Sequence, residues 1–114
     1  MILFARNRFI LLSAAMLFAI NLAAQNTLDS LEASANRAVG EEKLDLLLNL
    51  SESYININPD RALDFGLQVL VQSKNLRKPL QEVQALFVMG KANFKIGNIE
   101  NALRYYNRAL GQFE

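Results

Sequence analysis

Chemistry in this sequence has to come from carboxylates, hydroxyls and lysines, because the chain holds no histidine and no cysteine. That removes histidine-based triads, thiol nucleophiles, His/Cys metal sites and a phosphoacceptor histidine. Two acidic groups remain, Glu41/Glu42/Asp45 and Asp60/Asp64. Converging carboxylates can share acid/base work or hold a metal. Both groups fall where helices should begin, however, and acids there complement the helix dipole. Gly90 and Gly97 are not part of a phosphate loop, since no Lys-Ser/Thr follows a glycine-rich turn. Asn49-Leu50-Ser51 spells a glycosylation acceptor but sits inside a helical pattern. Tyr105, Tyr106 and Phe113 could stack on a ligand; core packing accounts better for Tyr106, and Tyr105 and Phe113 are placed to face a neighbouring unit. No catalytic residue, cofactor or metal is expected, and an enzyme is the remote alternative.

The elements that carry these residues follow a leader. Arg6 and Arg8 precede an apolar run, Phe9–Ile20, and small residues at Ala23 and Ala24 precede the polar Gln25. That order is the order of a secretory signal, so Met1–Ala24 is expected to direct export to the periplasmic side. A membrane anchor is the alternative; the run is shorter than the roughly 20 residues of a span and is interrupted at Asn21. Without cysteine there is no lipid attachment at the cleavage point and no disulfide staple. Removing Arg6 and Arg8 leaves 10 basic and 11 acidic residues, so the mature chain is slightly acidic and no nucleic-acid partner is expected.

Helical spacing runs through the rest of the chain, with no alternating strand pattern, which predicts an all-α fold. Gln25–Asn26 reads as a linker, Thr27 as an N-cap, and 27–39 as a short helix ended by Gly40. A second helix is expected over 41–57, with Leu44, Leu47, Leu48, Leu50, Tyr54 and Ile55 as its apolar face. Asn58-Pro59-Asp60 then caps a third helix, 59–75, with Ala62, Leu63, Phe65, Gly66, Val69 and Leu70 inward. Pro79 opens a fourth, to Ile96, with Val83, Leu86, Phe87, Gly90 and Phe94 inward. Gly97-Asn98 leads into a fifth, from Ile99 to the end, carrying Ala102, Leu103, Tyr106, Ala109, Leu110 and Phe113. The single domain thus divides into a leader (1–24), a linker and short helix (25–40), and two helix pairs (41–78 and 79–114).

Ala62 and Ala102 occupy the same place in the two pairs, 40 residues apart. A period of this size marks stacked supersecondary units. The second pair resembles a tetratricopeptide repeat (TPR). Its large residue, its Leu-Gly-like step and its turn glycine are Leu86, Met89-Gly90 and Gly97, and its second helix has Ala102, Tyr106 and Ala109. Asn93 departs from the usual aromatic, a place Phe94 is expected to fill from the next position, and Glu114 stands near the usual proline. Small Gly90 and Ala102 should let the helices approach, while Leu86, Tyr106 and Leu110 fill the gaps. The first pair resembles the family more loosely, with Leu50 read at the usual glycine and Gly66 at the usual aromatic.

The resemblance implies a TPR superhelix that binds protein or peptide. Its groove would be lined by Gln84, Phe87, Lys91 and Lys95 from the second pair and by Leu47, Ser51 and Tyr54 from the first. Lys91 and Lys95, one turn apart, could hold a partner's carboxylates. The leader, Leu28–Leu31, Leu47–Ser51 and Asn58–Asp60 together resemble the start of Bacteroidetes-type sensors, in which exported repeats precede a membrane helix and a histidine kinase or regulator. A free-standing periplasmic adaptor is the alternative. Stacks normally need three or more units, so further repeats or self-association through the C-terminal helix are expected.

Overall fold

Glycine, proline and asparagine set the helix boundaries. The computed structural model describes residues 2–113, with side chains from residue 10. Among them are five helices and no strand: α1 (Ile2–Arg37), α2 (Gly40–Tyr54), α3 (Pro59–Asn75), α4 (Pro79–Ile96) and α5 (Ile99–Gly111). The Arg6 and Arg8 side chains and Glu114 lie outside the described residues. The chain divides after Ser30 into two compact units.

The first unit is helical and apolar. Between residues 10 and 22 its large side chains stand exposed, among them Leu12, Leu17 and Phe18. Ile10–Arg37 is long and apolar enough to cross a membrane, a property that a signal sequence near an N-terminus shares. The expected linker at Gln25–Asn26 is helical instead. Thr27 does not cap a helix; its hydroxyl donates to the Ala23 carbonyl one turn back, at 3.0 Å. Nothing in this stretch breaks a helix, because it lacks glycine and proline.

In the second unit, turns of two to four residues join the helices, and α3 packs on α2, α4 on α3 and α5 on α4. Asn58 accepts from the Arg61 N–H and Asn98 from the Asn101 N–H, both at 3.3 Å, with Pro59 at the first position of α3. Gly97 ends α4 at a φ of 93°, a conformation that suits glycine. Two expected ends move. The first helix stops at Arg37, and Gly40 opens α2 with a φ of 64°. α2 stops at Tyr54, three residues early, where the Ile55 and Ile57 N–H groups bond only three residues back, to the Glu52 and Tyr54 carbonyls, and tighten the last turn.

Packing centres on α4, which lies against α2, α3 and α5. One of its stripes, Leu86 and Gly90, faces its own pair. A C-β on Gly90 would stand 2.6 Å from the Tyr106 ring, so this glycine lets α5 come close. A second stripe, Ala85, Val88 and Ala92, is also fully buried. The first pair has a matching close approach. A C-β on Gly66 would stand 3.3 Å from the Ser51 hydroxyl and 2.9 Å from Met89.

These contacts fix the correspondence between the pairs. Ala62 matches Ala102 across 40 residues, but the small residue of α2 is Ser51, 39 residues before Gly90. Leu50-Ser51 therefore stands where Met89-Gly90 does, and Leu50 does not take the glycine's place. Between matched positions the α4–α5 connection is longer than the α2–α3 connection by the one residue that separates the two offsets.

Candidate functional site

The described surface has a cleft of about 410 Å³ at the junction of α2, α4 and α5. Glu52, Ile55 and Asn56 line it from the end of α2. Lys91, Phe94 and Lys95 line it from α4, and Tyr106 closes it from α5. Each side owes its place to helical spacing. Lys91, Phe94 and Lys95 fall on one exposed side of α4, with Lys91 and Lys95 directly beside the buried stripe of Ala85, Val88 and Ala92. Glu52, Ile55 and Asn56 are the corresponding residues of the first pair at the 39-residue offset.

Electrostatically the cleft is basic on one wall and mixed on the other. Lys91 and Lys95 are exposed and, among the described residues, make no ion pair. Lys95 also sits in the last turn of α4, where a cation complements the dipole. Glu52 contributes one negative charge and Asn56 an amide. Phe94 is 60% exposed, which leaves an apolar face beside the two ammonium groups. The arrangement suits a ligand with a carboxylate next to an apolar or aromatic side chain. It holds no paired acid and base, and no group of histidine, cysteine or carboxylates fit for a metal occurs among the described residues.

Of the residues expected in the groove, the structure brings Lys91 and Lys95 into the cleft. Gln84 is exposed and Phe87 half-buried, and neither lines it. Ser51, Tyr54 and Leu47 are corrections: all three are buried. Ser51 is 0% exposed and donates to the Ala62 carbonyl at 2.6 Å. Tyr54 stacks on Phe65 with ring centroids 5.7 Å apart. The Arg61 guanidinium lies over the Tyr54 ring, donates to its hydroxyl at 3.1 Å and pairs with Glu32 at 2.7 Å. Their helical neighbours Glu52, Ile55 and Asn56 reach the cleft instead.

The residues expected to pack the repeat divide similarly. Leu86, Gly90, Ala102 and Ala109 are buried, and Tyr106 packs on Gly90 and tilts against Phe87 at 6.1 Å. Phe94 does not replace an inward aromatic. The inward place is kept by Asn93, whose amide donates to the Met89 carbonyl at 2.8 Å and so satisfies its buried polar end. Leu110 fills no gap; it is exposed, as is Phe113.

Of the candidate acidic residues, Glu41 makes a link between helices. Glu41 accepts from Lys78 at 3.0 Å and from Gln81 at 3.2 Å, tying the start of α2 to the α3–α4 turn. The hydrogen bond and charge of Lys78, with help from Gln81, hold the Glu41 carboxyl below the ordinary carboxylate range. Glu42, Asp45, Asp60 and Asp64 are exposed.

Comparison with protein-family models, with curated proteins and with solved structures finds no match to the chain.

Proposed function

We propose that the chain is an exported, non-catalytic TPR-type module that binds an acidic segment of a partner protein, and that it forms the extracytoplasmic front of a longer signalling protein. The observation that carries the binding role is the cleft between α2 and α4. It joins two unpaired lysines one turn apart to an exposed phenylalanine and an asparagine. The repeat reading is supported by the recurrence of one packing scheme, Ser51 against Gly66 and Gly90 against Tyr106. The way α4 packs on both helices of the preceding pair supports it further. Export is supported by the exposed apolar stretch near the N-terminus.

The test is a fluorescence titration with an acidic peptide that has a free C-terminal carboxylate, set against a neutral amidated peptide of equal length. Lys91→Ala and Lys95→Ala should each weaken acidic-peptide binding about five- to tenfold, and Glu52→Gln should strengthen it. Equal affinity for the neutral peptide, or indifference to both lysine substitutions, would remove the binding role.

A further inference from the structure

Removal of the leader after Ala24 makes Gln25 the first residue of the chain. Gln25 is exposed and lies inside α1, where its backbone nitrogen is committed to the peptide bond with Ala24. The second compact unit begins later, at Leu31. Its anchors in α1 include Glu32, paired with Arg61 at 2.7 Å, and Ala35, which is 1% exposed. Cleavage therefore leaves a short lead, residues 25–30, ahead of the packed helices. The cut also removes the Ala23 carbonyl that accepts from the Thr27 hydroxyl at 3.0 Å.

We infer that Gln25 is a modification site: once the leader is removed, this residue closes on itself into a pyroglutamyl lactam. The inference rests on the export reading above and adds the chemical form of the exported N-terminus. The uncharged α-amino nitrogen attacks the side-chain Cδ, and a five-membered ring forms. The bond from Cδ to the side-chain amide nitrogen breaks. The amine's proton passes to that nitrogen, which leaves as ammonia. Nucleophile and carbonyl belong to one residue, so no second reactant is needed and the effective concentration is high. The precursor cannot react, because its Gln25 nitrogen is an amide. In the cut chain the first N–H groups of α1 lose their acceptors. The released Thr27 then caps the helix, with Asp29 in its first turn, and Gln25 and Asn26 stand ahead of the cap, free to take up the ring geometry. The lactam removes a cation beside the positive end of the helix dipole. It also leaves no free amine for an aminopeptidase.

The test expresses the full chain in an export-competent bacterial host and recovers it from the periplasm. Intact mass and stepwise N-terminal degradation are read at once and after several days at neutral pH. The majority of the chain should become lighter by one ammonia than the chain beginning at Gln25, and closed to N-terminal degradation. The rate should not depend on protein concentration. Pyroglutamyl aminopeptidase should reopen the chain at Asn26. Gln25→Ala should be exported alike and stay open. A chain that begins at Gln25 and still degrades stepwise after the incubation overturns the lactam and leaves export standing. So does cleavage at any other bond. A chain that keeps Met1 overturns the cleaved leader and the lactam together.

Discussion

Gly90 and Gly66 are both buried between helices, yet alanine should be tolerated at only one of them. At Gly90 the added methyl meets the rigid Tyr106 ring at 2.6 Å and 2.8 Å. Gly90→Ala should therefore lose about 1–3 kcal/mol by overpacking, read as a lower urea midpoint. At Gly66 the nearest atom belongs to the flexible Met89 side chain at 2.9 Å. There the helix propensity gained over glycine, up to about 1 kcal/mol, offsets the shift of Met89, so Gly66→Ala should unfold within about 1 kcal/mol of the parent chain. Arg77 offers the opposite case. The Lys78 N–H bonds the Ser73 carbonyl as the Asn98 N–H bonds the Asn93 carbonyl, so Arg77 and Gly97 hold the same place in their turns. Arg77 has a φ of 54° with a side chain attached. Arg77→Gly should stabilise the chain by about 0.5–1 kcal/mol, seen as a higher thermal midpoint. The turn glycine was legible from its letter. The strained arginine was not, because Leu-Arg-Lys carries no turn signature.

Among the elements, α3, α4 and the start of α5 were legible to the residue, since Asn58-Pro59, Pro79 and Gly97-Asn98 are strong boundary signals. The ends of α1 and α2 were not. Thr27 can cap a helix or bond back within one, and only its neighbours decide. The start of α2 carries a further contact that sequence spacing cannot reveal, the Glu41–Lys78–Gln81 link across 37 and 40 residues. Because the folded carboxyl is depressed, the link contributes above the unfolded value and is lost as pH falls through the folded one. The parent chain and Glu41→Gln should thus differ in urea midpoint at neutral pH and converge in acid, once the folded carboxylate is protonated. A gap that persists in acid would mean that charge at Glu41 is not the cause.

For the molecule as a whole, the same residue type at matched places should carry very different weight. Leu70→Ala, in the core, should cost about 2–4 kcal/mol. Leu110→Ala, largely exposed, should stay within about 0.5 kcal/mol of the parent chain. The contrast is read from paired unfolding curves, and equal losses would mean that the open face is covered in solution. Binding at the cleft, if carried by Lys91 and Lys95, should weaken as salt rises, and the double substitution Lys91→Ala/Lys95→Ala should flatten that dependence. The cleft itself was half legible. On its α4 wall Lys91 and Lys95 follow from helical spacing, while Phe94, expected inward, was not legible. Its α2 wall was displaced by one residue, because a single 40-residue offset was carried from α3 and α5 onto α2 and α4. The step Leu50-Ser51, small after large as in Met89-Gly90, was the available signal for the right register.

Periodicity and capping letters by themselves determined that this chain is helical and where most helices turn, because those properties depend on neighbours within a few positions. They also excluded histidine and thiol chemistry outright. Only the tertiary structure decided that Ser51 and Tyr54 are buried while Glu52, Ile55 and Asn56 reach the cleft, because rotation about the α2 axis is fixed by contacts with Gly66 and Phe65 on another helix. It likewise separated Leu70 from Leu110. Identical side chains at equivalent positions differ in exposure because α4 covers one, and among the described residues no helix covers the other.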